Sequence, residues 1–197
     1  MSATLPLVEE ESDLRRPITV DEFLRMVDAE IIDAAERVEL IEGGLYRMSP
    51  SRRPHGIAQA RVITLLSNAF AENGYEVSLT SIRLDDSNFF DPDVLVERAD
   101  PSAGKYAGPA RVVLAVEVSD STLGKDQKVK LAVYARAGIP EYWIVNLRAG
   151  SLEVYRDPQR DKEVYATVLI LKPGETLAAL FEPAVPIAVA DIFRPNH

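Results

Sequence analysis

The run Val112-Val113-Leu114-Ala115-Val116-Glu117-Val118 places one glutamate among six apolar neighbours. A run this apolar predicts a strand covered on both faces. An ionised carboxylate there loses most of its water, and is costly unless it is paired, protonated or bound to a cation. The stretch therefore constrains two things together: a sheet with layers on both sides, and a buried acid in need of a partner. Asp93 poses the same question one strand earlier, in Asp91-Pro92-Asp93-Val94-Leu95-Val96-Glu97. A helix rich in lysine, 125–138, follows the second strand. Two such acids converging beside a lysine are the parts of a hydrolytic metal site.

The composition narrows what that site can be. The chain has no cysteine, which removes disulfides and thiolate ligands and fits a reducing, cytoplasmic setting. Only His55 and His197 carry imidazole, so a multi-histidine zinc site is not expected. Any metal is then held mainly by oxygen, which favours Mg2+ or Mn2+. No apolar run approaches the roughly 18–20 residues of a membrane span. A net charge of −9 counts against broad, non-specific nucleic-acid binding, but a metal site brings carboxylates of its own.

At 197 residues the chain reads as one domain, 18–197, behind a flexible acidic tail, 1–17. Thr19 and Glu22 have capping-box spacing and predict a short helix over 20–29. Gly43-Gly44 between part-apolar runs predicts a hairpin over 37–48. Pro50 and Pro54 mark a loop over 49–54. A helix is expected over 55–72, and a single strand over 75–84, where Val77, Leu79 and Ile82 are apolar. The acid strands and the lysine helix come next. Strands at 141–146, 152–156 and 164–171 and an apolar tail at 185–193 close the chain. Helices interspersed with runs of strands predict a mixed α/β domain with a central sheet flanked by helices.

Each candidate has a bland reading beside the chemical one. If their strands are neighbours, Asp93 and Glu117 lie close enough to share a cation; otherwise Asp93 is a strand-edge residue and Glu117 a core salt-bridge partner. Lys130 either reaches the site or is a solvated helix lysine, as Lys125 and Lys128 are expected to be. Glu39 either adds a ligand or faces solvent. His55 and Gln59, four apart on a helix, contact substrate or act as cap and surface groups. Arg52 and Arg53 form a basic loop beside the site. Trp143, Tyr142 and Tyr155 read as core aromatics, and a hairpin spanning Trp143 to Tyr155 offers an apolar surface through which two subunits could pair as a homodimer.

Taken together, several stretches resemble one family: 37–45, His55, Asp91-Pro92-Asp93-Val94-Leu95-Val96, 116–122, and above all 128–145, Lys-Val-Lys-Leu-Ala-Val-Tyr-Ala-Arg-Ala-Gly-Ile-Pro-Glu-Tyr-Trp-Ile-Val. They look like the Uma-two family of restriction-endonuclease-like proteins in the PD-(D/E)XK superfamily, over about 18–193. The resemblance implies a nuclease core in which Pro92-Asp93 supplies the first acid and Glu117 the second. It implies Glu39 as an acid from the N-terminal part. The superfamily's lysine usually stands two places after the second acid, where this chain has Ser119. Lys130 resembles a lysine that has migrated to the helix.

The expected function is a magnesium-dependent endonuclease cutting DNA. Asp93, Glu117 and the Val118 carbonyl would hold the metal, Lys130 and Glu39 would assist, and Arg52, Arg53, His55 and Gln59 would contact nucleic acid. The alternative is a catalytically inactive binding or assembly module on the same fold.

Overall fold

The computed structural model describes residues 16–33 and 36–194. Most of the expected tail, 1–15, and His197 lie outside the described residues.

The chain begins as its caps dictate. Helix α1, Val20–Asp28, starts at Thr19, whose hydroxyl accepts from the Glu22 N–H while Glu22 reaches back to the Thr19 N–H. Strands β1, Val38–Ile41, and β2, Gly44–Arg47, form the expected hairpin. Its two-residue turn, Glu42-Gly43, has φ of 48° and 73°, the left-handed pair that matches strand twist. Helix α2 spans Arg53–Phe70, two residues earlier than expected, because Pro54 fits the first turn of a helix, where no N–H partner is needed.

The single strand expected over 75–84 is two strands in two sheets. Strand β3 is Tyr75–Ser78 and β4 is Ile82–Arg83. The apolar spacing slips from two (Val77, Leu79) to three (Leu79, Ile82), which breaks the alternation of one strand. Leu79, at the crossing between the sheets, is 59% exposed.

Strands β5, Phe89–Phe90, and β6, Val94–Arg98, precede β7, Val112–Ser119, all eight of whose residues are buried. A continuous helical segment follows: α3, Leu123–Lys125, a π-helical turn, Asp126–Lys130, and α4, Leu131–Ala137. Then come β8, Glu141–Asn146, β9, Ser151–Gln159, β10, Val164–Leu171, the short pair β11, Thr176–Ala178, and β12, Pro186–Ala188, and α5, Val189–Phe193.

The main sheet runs β10-β9-β8-β7-β6-β3, and β1, β2, β4 and β5 make a second sheet in the order β2-β1-β5-β4. Within the main sheet β7 and β8 pair in parallel, joined by the helical segment 123–137, and the other neighbours pair antiparallel. One face of the main sheet packs on α2 and α5 through Val62, Leu66, Phe70, Val116 and Val118. The other packs on 123–137 through Leu95, Ala115, Tyr134 and Ile144. Ile41, Ile82 and Phe90 of the small sheet join that second core, while Leu40 and Phe89 turn the other way onto α1. The segment 123–137 is thus held between two sheets, and side chains from both can meet on it. This is the mixed sheet flanked by helices that the sequence predicts.

The hairpin from Trp143 to Tyr155 cannot serve as a docking edge. β8 lies between β7 and β9, β9 lies between β8 and β10, and Trp143 and Tyr155 are buried. Apolar exposure falls instead on the edge strand β10, at Val168 and Ile170. Among the described residues no helix is long and apolar enough to cross a membrane.

Candidate active site

Alternation along the strands aims the acids. On β7, Val116 and Val118 face α2, so Ala115, Glu117 and Ser119 face the segment 123–137. Strands β6 and β7 pair antiparallel with Val94 opposite Val116, so Asp93, one residue before β6, stands opposite Glu117. The Val118 N–H donates to Asp93 Oδ2 at 2.7 Å, and His55 Nε2 lies 3.1 Å from the same oxygen. Gln59, one turn further along α2, donates from Nε2 to the Asp93 carbonyl at 2.8 Å. His55 and Gln59 thus hold Asp93 by its carboxylate and its backbone carbonyl.

Glu39 enters from the small sheet. On β1, Leu40 faces α1, so Glu39 and Ile41 face the helical segment. Lys130 Nζ lies 2.7 Å from Glu39 Oε1 and 2.9 Å from Glu117 Oε1, bridging the two sheets. Tyr134, one turn on, donates its hydroxyl to Glu117 Oε1 at 3.0 Å. Lys125 Nζ lies 2.9 Å from Glu39 Oε2. Asp126 Oδ2 accepts from Ser119 Oγ at 2.5 Å and from Thr122 Oγ1 at 2.7 Å.

Burial and charge compete here. Burial draws the Glu39 pKa upward, but Lys130 and Lys125 outweigh it and hold the carboxyl below its ordinary range. Glu117 goes the other way: burial raises it well above the ordinary range, Asp126, Asp93 and Glu39 add to the rise, and Lys130 only opposes it. Burial pulls the Lys130 ammonium down, and Glu117 and Glu39 more than restore it, so its pKa is raised. Lys130 thus bridges a carboxyl whose ionised form is favoured, Glu39, and one that burial drives toward its protonated form, Glu117. Four carboxylates, Asp93, Glu117, Glu39 and Asp126, face two ammonium groups, Lys125 and Lys130.

A cavity of about 450 Å3 opens onto this cluster, lined among others by Arg52, His55, Asp93, Glu117, Val118, Lys125 and Lys130. Among the described residues no hydrogen bond reaches Asp93 Oδ1 or Glu117 Oε2. Each acid thus keeps one oxygen for another partner. Two carboxylates with spare oxygens suit a hard divalent cation, although no three or more His, Asp or Glu side chains among the described residues group as ligands.

The sequence candidates do not all fall in one place. Asp93, Glu117, Val118, Lys130, His55 and Arg52 line the cavity; Glu39 is fully buried behind the two lysines; Arg53 is exposed and lines a different depression with Ile57 and Arg61. Lys125, expected in solvent, is in the cluster. Asp126, Thr122 and Tyr134 were not singled out. Helical spacing does put Tyr134, four residues after Lys130, on the same stripe, but gives it no role.

This fold has a counterpart among solved structures. It matches the crystal structure of a protein from Anabaena variabilis described as a putative nuclease belonging to DUF820, with a TM-score of 0.69 at 17% identity, over 90% of this chain and 98% of that one. The Uma2 family model, described as a putative restriction endonuclease, matches residues 20–190. The chain belongs to the Uma2 family. A search of curated proteins found no match.

Proposed function

We propose that this protein is a divalent-metal-dependent endonuclease that hydrolyses phosphodiester bonds in DNA. The observation that carries the reading is the convergence of Asp93 and Glu117, each with one uncommitted oxygen, on the floor of a single cavity. Asp93, Glu117 and the Val118 carbonyl would hold Mg2+ or Mn2+, and the ion when bound would activate water and screen phosphate charge. The protein's own residues do the rest. His55, Gln59 and the Val118 N–H fix Asp93, so its free oxygen is preset. Lys130 and Tyr134 fix Glu117 through its other oxygen. Arg52 at the rim offers a bidentate fork to a backbone phosphate. Hydrolysis puts the hydroxyl of water on phosphorus and its proton on the departing sugar oxygen, while Lys130 keeps its proton and balances the buried acids.

The test is cleavage of supercoiled and single-stranded DNA with Mg2+ or Mn2+, wild type beside Asp93→Ala and Glu117→Ala. Metal-dependent cutting that both substitutions abolish supports the reading. Cutting that persists in both removes this site from the chemistry. Failure to cut, with DNA still bound, points to a binding module on a nuclease fold.

A further inference from the structure

Two lysines share Glu39, and they differ in what they have left to give. The Lys130 side chain is 1% exposed and that of Lys125 is 25% exposed. An ammonium has three N–H donors. Those of Lys130 meet Glu39 Oε1, Glu117 Oε1 and, at 5.4 Å from Nζ to the ring centre, the face of Phe90. The aromatic face occupies the third direction by cation–π attraction, so Lys130 has no donor free for a substrate. Lys125 spends one donor on Glu39 Oε2 at 2.9 Å and touches the Met48 sulfur at 3.5 Å. A thioether is a weak acceptor, so a stronger one displaces it easily. Lys125 also lines the cavity.

The backbone explains how both reach one glutamate. Lys125 immediately precedes the π turn and Lys130 ends it. A π turn closes i to i+5, so residues five apart stack on one face, whereas an α-helix at about 100° per residue would splay them by about 140°.

We propose that Lys125, not Lys130, is the lysine that meets the scissile phosphate, and that Glu39 is the positioning residue that aims it. The proposal rests on the nuclease reading and assigns its substrate-facing cation. Lys125 donates a hydrogen bond to a non-bridging phosphate oxygen as charge builds there, and keeps its proton. Lys130 holds Glu117 and Glu39 in place and never touches the substrate.

The experiment uses the full chain, a duplex oligonucleotide, and three variants: Lys125→Met, Lys125→Arg and Lys130→Met. Removing one preset donor to the transition state costs about 10²-fold or more in kcat. Lys125→Met should therefore lose about that much single-turnover rate with Mn2+ affinity unchanged, and Lys125→Arg should recover part of it. Lys130→Met should instead weaken Mn2+ binding, through Glu117. An amine-acylating reagent with peptide mapping gives a readout apart from cleavage. Lys125 should label in the free protein and be protected by oligonucleotide held in Ca2+, while Lys130 stays unlabelled in both. If wild type binds and cuts DNA but Lys125→Met cuts as well as wild type, or Lys125 labels equally with and without oligonucleotide, the lysine assignment alone is wrong. If wild type neither binds nor cuts, the nuclease reading fails and this assignment fails with it.

Discussion

Lys130 Nζ lies 2.9 Å from Glu117 Oε1, although the lysine is on a π turn and the glutamate on a buried strand thirteen residues earlier. The contact ties the helical segment 123–137 to the main sheet, and the second bond of the same amine, to Glu39, ties it to the small sheet. One cation thus fastens three layers at the point where the candidate site opens.

Removing that cation should be costly. Lys130→Met fits the space but leaves Glu39 and Glu117 facing each other without the charge between them. Breaking a buried pair from one side costs about 3–5 kcal/mol. Urea unfolding followed by far-UV circular dichroism would measure it. A loss below about 1 kcal/mol would mean that the acids protonate without structural cost and that the bridge is not a fastening.

Glu141 is a buried acid outside the site, with an unrelated task. It is fully buried; Oε1 accepts from Trp143 Nε1 at 2.8 Å and from Arg156 Nη2 at 2.7 Å, and Oε2 accepts from the Leu180 N–H at 2.7 Å. It lies opposite Leu114, three positions along β7 from Glu117, so about 10 Å from the site at strand rise. Glu141→Ala should destabilise by about 3–5 kcal/mol, since it strands the Arg156 charge, the buried Trp143 N–H and the part-buried Leu180 N–H. Glu141→Gln should cost less, because an amide oxygen still accepts from Trp143. Neither should change Mn2+ affinity, and calorimetry that found a change would join the two networks.

Much of this was legible before any coordinates. The strand over 112–118 is covered on both faces because seven adjacent side chains allow nothing else, and Thr19 with Glu22 could only begin a helix. The facing of Asp93 and Glu117 followed from alternation once their strands proved to be neighbours. What period-based reasoning missed has one cause in the site. Helical spacing at 3.6 residues per turn puts Lys125 away from Lys130, and the π turn that brings them together leaves no mark in composition. The split of 75–84 was missed for another reason: a slip of one residue in the apolar pattern is a weak signal, and it took the second sheet to show what Ile82 packs against. Ser119 is in neither category. Its hydroxyl donates to Asp126 Oδ2, which pins the start of the helical segment to the end of β7.

Gly43 and Gly74 both have positive φ, 73° and 81°, but only one is crowded. A Cβ on Gly43 would fall 2.3 Å from Pro17 Cβ and 2.9 Å from its Cα, while one on Gly74 would meet nothing within 4 Å. Gly74→Ala should cost about 1–2 kcal/mol, the strain of a left-handed residue. Gly43→Ala should cost more, because the backbone of Pro17 must move as well. Equal losses in thermal unfolding would mean that the 16–18 segment yields freely.

The N-terminal helix should respond to acid. The Arg16 guanidinium, then the Thr19 N–H, hold the Glu22 carboxyl down to about 2, against an ordinary 4.5. A folded pKa below the unfolded one gives stability that is present above the unfolded value and disappears as pH falls through the folded value. The difference in Tm between wild type and Glu22→Gln should therefore be full at neutral pH, shrink below 4.5 and vanish near 2. A difference that stayed constant over this range would assign the effect of the substitution to packing.

His55 offers the sharpest separation of positioning from binding. Its Nε2 lies 3.1 Å from Asp93 Oδ2, the oxygen already engaged by the Val118 N–H, and its Nδ1 is buried with no hydrogen-bond partner among the described residues. With Asp93 ionised, the contact is a hydrogen bond only when Nε2 carries the proton. His55 would then orient Asp93 and leave Oδ1 turned to the cavity. Groups that orient a ligand in this way typically contribute 10–100-fold to metal affinity, so His55→Ala should weaken Mn2+ binding by about that factor. His55→Gln, which can place an N–H near the same oxygen, should recover part of it. Electron paramagnetic resonance titration of Mn2+ reads this directly and needs no substrate. Unchanged affinity in His55→Ala, with DNA binding reduced, would move His55 from orienting Asp93 to contacting the nucleic acid.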